Sequence, residues 1–145
     1  MNATQIIPGS ISAIAQSTGQ PIAVLFSNAE IVTIVDVSGS MGQRDSKDGK
    51  SRYQTACDEL SMIQRDRPGK VAVIAFSNNA LFCPGGIPMY EGGMTNLAHA
   101  LRYAKIADVP GMNIIVISDG EPDSEREAIA VATTYKNKIS TIRNH

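Results

Sequence analysis

The 145-residue chain is 43% hydrophobic and 19% charged, which is enough apolar material for one buried core and too much for a disordered segment. Its formal net charge is −1 with a pI near 6.1, and Lys and Arg form no stripe, which argues against nucleic acid or an anionic membrane as a main partner. No apolar stretch approaches bilayer length and the opening MNATQIIPGS carries no basic segment, so a cytoplasmic location is expected.

Residues 10–16 read as a helix, 17–20 as a turn and 21–26 as a strand. Residues 1–29 are therefore expected to form an N-terminal helix and extended arm ahead of a domain spanning 30–145, all within one globular unit. Residues 31–35, 71–76 and 114–117 are short, β-branched and apolar on both alternating faces, the pattern of parallel strands covered by helices on both sides. Residues 42–51 read as a solvated loop. Tyr53, Ala56, Cys57, Leu60 and Ile63 recur at helical spacing, and Cys57 and Cys83 lack zinc-ligand spacing, so reduced, half-buried thiols are expected.

Residues 81–84 follow the strand at 71–76 after a three-residue turn, which permits an antiparallel hairpin but no parallel crossover. Residues 84–93, rich in glycine and proline, read as a loop. A helix follows over 97–105 and stops at Pro110-Gly111, another starts at the capping box Ser124-x-x-Glu127, and residues 139–142 form a last strand. Strand and helix alternate, so the expected class is α/β: a doubly wound, mostly parallel, Rossmann-like sheet with one antiparallel edge strand.

Ligands of such sheets bind beyond the C-terminal strand ends. There, the strand at 31–35 runs into Asp36-Val37-Ser38-Gly39-Ser40 and the strand at 114–117 into Ser118-Asp119-Gly120. Two carboxylates in one low-dielectric cleft repel unless a cation lies between them, and hydroxyls two and four residues after Asp36 make a hard oxygen set suited to Mg²⁺, Mn²⁺ or Ca²⁺. Each residue also has a local alternative: Ser38, Ser40 and Asp119 as caps, Thr95 as the N-cap of the helix at 97–105. Glu121 and Asp123 read as a polar turn, and His99 as a surface or satisfied histidine.

Asp36-x-Ser38-x-Ser40, then Gly92-Gly93-Met94-Thr95-Asn96-Leu97, then Ile117-Ser118-Asp119-Gly120 resemble the von Willebrand factor type A domain and its metal-ion-dependent adhesion site, over roughly residues 30–142. The resemblance implies direct coordination of a Mg²⁺ (or Mn²⁺ or Ca²⁺) ion by Ser38 and Ser40. Asp36 and Asp119 would coordinate directly or through water, and Thr95 would join in the ligand-competent state. One position is left for an acidic side chain of a protein partner, and relatives imply an AAA+ ATPase-associated assembly as one kind of partner.

The family's domain has about six strands and a closing helix, so this chain looks C-terminally short, with a circular permutation as an alternative. A bare edge at residues 139–145, with Ile139 and Ile142 poorly covered, would favour a homo-oligomer or a fold-back of residues 9–26. A Mg²⁺-dependent phosphohydrolase is the enzymatic alternative, yet that chemistry wants a second Asp where Ser38 stands, and no phosphate-binding glycine motif follows the first strand. Non-enzymatic protein binding is the expected function.

Overall fold

The computed structural model describes residues 6–44, 48–118 and 124–143. Its elements are α1 (Ile11–Thr18), α2 (Ile22–Ser27), β1 (Ile31–Asp36), α3 (Arg52–Asp66), β2 (Val71–Phe76), β3 (Ala80–Phe82), α4 (Leu97–Ala104), β4 (Asn113–Ser118), α5 (Glu125–Ala132) and β5 (Ile139–Arg143). Short 3₁₀ turns follow β1 (Gly39–Gly42) and α4 (Lys105–Ala107).

The strands form one sheet in the order β3-β2-β1-β4-β5. All neighbours are parallel except β2 and β3, whose tight connection produces the antiparallel edge. Alternation splits the core into two layers. Val32 and Ile34 of β1, Ala72, Ile74 and Phe76 of β2 and Ile114 and Val116 of β4 pack against Ile11 of α1, Leu25 of α2, Leu101 of α4 and Val131 of α5. The opposite face, with Val35, Val73 and Ile117, takes Ala56 and Leu60 of α3 and Met41 of the first 3₁₀ turn. Helices on both faces make this the doubly wound class expected from the alternating segments.

Residues 21–26 depart from expectation, since Ile22–Ser27 is a helix. The reason is topological. Only residues 28–30 separate it from β1, which lies in the middle of the sheet between β2 and β4, so both positions beside β1 are already taken. A helix satisfies its own backbone instead, burying Leu25 and setting Phe26 edge-on against Phe82, with ring centroids 4.9 Å apart. Ile22 and Val24, whose β-branched side chains gave the segment its strand-like pattern, lie partly exposed on this helix.

At the other edge, Ile142 is exposed, whereas Ile139 packs against the core cluster, contrary to the expectation that both lie uncovered. Among the described residues, no hydrogen bond joins the N-terminal segment to β5. It is fastened beside the loop after β3, through the Ile7 N–H to the Gly85 carbonyl and the Ser12 N–H to the Pro84 carbonyl. The loop before α3 ends in a reciprocal cap, Ser51 with Gln54, a signal that the sequence carries as S-x-x-Q. Ser124 caps α5 through the Glu127 N–H.

Asp108, buried after the second 3₁₀ turn, ties α4 to the segment before β5. It accepts from the N–H of Lys136 (2.6 Å), the N–H of Asn137 (3.1 Å) and the Asn137 side chain (2.7 Å). Burial alone would raise its carboxyl pKa, but these hydrogen bonds and the charge of Lys105 outweigh it and hold it below the ordinary value. A lowered folded pKa means that the stabilisation is complete above the unfolded value near 4 and is lost as pH falls through the folded one. Asp108→Ala should cost about 2 kcal/mol at neutral pH and flatten the acid limb of the stability curve. Urea unfolding at pH 7 and pH 3 checks both, and a variant with the wild-type acid limb would refute the assignment.

Candidate metal centre

Asp36 ends β1 in parallel register with Phe76 of β2, and its neighbour Val35 pairs with Ile117 of β4, so Asp36 lies beside Ser118. The carboxylate is fully buried. Its Oδ1 accepts from the Ser38 N–H at 2.8 Å and its Oδ2 from the Ser118 hydroxyl at 2.7 Å. A buried carboxylate is costly unless it is hydrogen-bonded or neutralised, and here the hydrogen bonds also fix its orientation. The first of them holds the chain in the tight bend that turns Ser38 and Ser40 to the same side.

The loop before α4 comes to meet that bend. The Gly39 N–H donates to the Gly93 carbonyl (3.0 Å), the Gly92 N–H to the Val37 carbonyl (2.9 Å) and the Asn96 N–H to the Ser77 carbonyl (2.9 Å). Asn78 Oδ1 takes the Met94 N–H at 2.8 Å. Gly93 sits at φ +86°, and a Cβ there would lie 3.1 Å from that same Asn78 oxygen, so the crossing of the two loops requires glycine.

Held in this way, the Thr95 hydroxyl donates to Ser38 Oγ at 3.0 Å, and Ser38 Oγ lies 3.4 Å from Ser40 Oγ. Oxygens sharing an octahedral Mg²⁺ at ~2.1 Å stand about 3 Å apart. The Thr95–Ser38 spacing is thus that of neighbouring ligands as well as of hydrogen-bonded partners, the Ser38–Ser40 spacing is a little wider, and a hard oxygen set above a buried carboxylate fits a divalent cation. Among the described residues no group of three or more His, Cys, Asp or Glu side chains could hold a metal ion. The convergent donors are hydroxyls.

Of the residues singled out from the sequence, Asp36, Ser38, Ser40 and Thr95 are brought together, while Asp119, like Glu121 and Asp123, lies outside the described residues. Thr95 is not the N-cap of α4. Asn96 takes that role by accepting the His99 N–H, which leaves Thr95 to face Ser38. Ser118 and Asn78 were missed. Ser118 stood inside the quoted motif, but its contact with Asp36 depends on strand register, and nothing local marks Asn78. Cys57 and Cys83 are free and half-buried, and burial pushes both thiols up, consistent with inert cysteines.

No family model and no curated protein matches the sequence. Solved structures do. An aerotolerance-related membrane protein from Bacteroides fragilis NCTC 9343, crystallised with multiple mutations to serines, is 21% identical with a TM-score of 0.64, over 79% of this chain and 67% of that one. A conserved hypothetical protein, BatB, from Bacteroides thetaiotaomicron is 22% identical with a TM-score of 0.60, over 79% of this chain and 66% of that one. The chain thus spans about two thirds of the length of each. At this identity the likeness is one of fold, an α/β sheet with helices on both faces. Among the described residues no helix is long and apolar enough to cross a membrane.

Proposed function

We propose that the chain binds a divalent cation, Mg²⁺ or Mn²⁺ in the first instance, through Ser38, Ser40 and Thr95 with Asp36 and Asp119, and thereby grips an acidic side chain of a protein partner without catalysing a reaction. The observation that carries this reading is the convergence of three hydroxyls, from two separate loops, above the buried carboxylate of Asp36. When bound, the ion would supply Lewis acidity toward an incoming carboxylate, and neutral hydroxyl donors leave that acidity largely intact.

The chain's own residues supply the positioning. Asp36 anchors Ser38 through its backbone and is itself steadied by Ser118. Thr95 closes the site from the loop that Gly92, Gly93 and Asn78 hold in place. A partner from an AAA+ ATPase-associated assembly is the kind that the sequence resemblance implies.

Calorimetric titration of Mn²⁺ into the wild type and Thr95→Val tests the proposal. One site is expected in the wild type, with affinity reduced about tenfold in the variant. A wild type that takes up no Mn²⁺ and no Mg²⁺ would refute it.

A further inference from the structure

Against the turn that carries Ser40 lies a cavity of about 310 Å³ walled by Gly42, Arg44, Ser51, Tyr53, Gln54 and Tyr90. Gly42 belongs to the same 3₁₀ turn as Ser40, and the Tyr90 hydroxyl donates to the carbonyl of Gly39 in that turn at 3.0 Å. The cavity and the candidate metal centre therefore share a wall. A Cβ at Gly42 would come within 2.8 Å of the Tyr90 hydroxyl, so the close seating of this ring requires glycine there.

Most polar atoms of the lining are already engaged. Ser51 and Gln54 cap α3 reciprocally, Tyr53 donates to the Pro88 carbonyl at 2.6 Å, and Tyr90 is committed to Gly39. Burial holds the Tyr53 phenol well above its ordinary pKa, so it stays neutral.

Arg44 differs. Its Nη1 reaches the Gly49 carbonyl (3.0 Å) and Gln54 Oε1 (3.3 Å), two neutral acceptors that orient the guanidinium without neutralising it. Among the described residues its Nε and Nη2 meet no acceptor and no carboxylate pairs with it. The rings of Tyr53 and Tyr90, with centroids 5.4 Å apart, flank the space. An oriented guanidinium beside aromatic faces selects a planar anion, for which its fork of N–H donors is shaped.

We propose that this cavity receives a second carboxylate of the partner, so that the segment recognised carries two acidic side chains, one for the ion and one for Arg44. The inference rests on the metal-dependent reading above. Charge complementarity supports this occupant, since the guanidinium is a positive centre in the wall that begins at Gly42, two residues from Ser40.

Fluorescence anisotropy with labelled peptides of Gly and Ser separates the two ideas. One peptide contains a single Asp and the others a second Asp one, two or three residues away, each measured in Mg²⁺ and in EDTA. In Mg²⁺ the best two-Asp peptide should bind about tenfold more tightly than the single-Asp peptide. Arg44→Gln should abolish that advantage, and Arg44→Glu should turn it into a penalty, while single-Asp binding and Mn²⁺ affinity stay unchanged and report an intact fold. Single-Asp and two-Asp peptides that bind equally in Mg²⁺, or an advantage that survives Arg44→Gln, would overturn the second subsite alone. Peptide binding that is indifferent to EDTA would overturn the metal reading and this inference with it.

Discussion

Asp36→Asn is expected to lower Mn²⁺ affinity by ten- to a hundredfold with little loss of stability, whereas Asp36→Ala loses both. The difference follows from burial. Asp36 is fully enclosed, and its two oxygens accept from the Ser38 N–H and the Ser118 hydroxyl. Asparagine keeps an oxygen for Ser38 and offers an N–H that the Ser118 hydroxyl can accept, so it removes the charge while preserving the contacts. Alanine leaves the buried Ser38 N–H without this acceptor, at about 1–3 kcal/mol, and takes one acceptor from the Ser118 hydroxyl. A residue at a strand end facing a ligand would ordinarily tolerate alanine, but here the carboxylate is also a structural acceptor. Calorimetry with Mn²⁺ and urea unfolding in EDTA measure the two effects separately. Wild-type affinity in Asp36→Asn would remove Asp36 from the ion's surroundings.

Gly9→Ala is expected to destabilise the fold by about 3 kcal/mol or more. Gly9 sits at φ +83°, where an L side chain is strained, and a Cβ there would lie 2.3 Å from the backbone oxygen of Gln64. That oxygen belongs to α3 and cannot swing aside as a side chain would, so the cost combines a left-handed backbone with overpacking, at roughly 1–2 and 1–3 kcal/mol. The Gly9 carbonyl also takes the Gly69 N–H at 2.9 Å, and fully buried Gln64 donates to the Gly86 carbonyl at 3.0 Å. The N-terminal segment, the end of α3 and the loop after β3 thus meet at one point. Urea unfolding would show a lower midpoint, with protease nicking of α1 and α2 well before global unfolding. A loss under about 1 kcal/mol would mean that α1 and α2 are an appendage rather than part of the core.

Much of this protein can be read from local spacing. The runs at 31–35, 71–76 and 114–117 announce buried parallel strands because their apolar residues fill both faces, and the three-residue turn before β3 leaves no choice but an antiparallel edge. Asp36, Ser38 and Ser40 are legible for the same reason: they lie within five residues of a strand end, and their common orientation is a property of one bend. Thr95 could be named from its motif, but its local context gave it two roles.

Tertiary structure decided between those roles, because Asn96 supplies the cap and the Ser38 hydroxyl, 57 positions away, supplies Thr95 with a partner. Ser118 meets Asp36 across 82 positions through the pairing of β1 with β4. Residues 21–26 have a strand's composition and form a helix, since a strand needs a neighbour to pair with and both sides of β1, three residues on, are taken by β2 and β4. Side-chain periodicity records which face of an element is apolar. It does not record which neighbour that face or that backbone will meet, and hydrogen bonds between segments far apart in the chain exist only once the sheet has set its order and register.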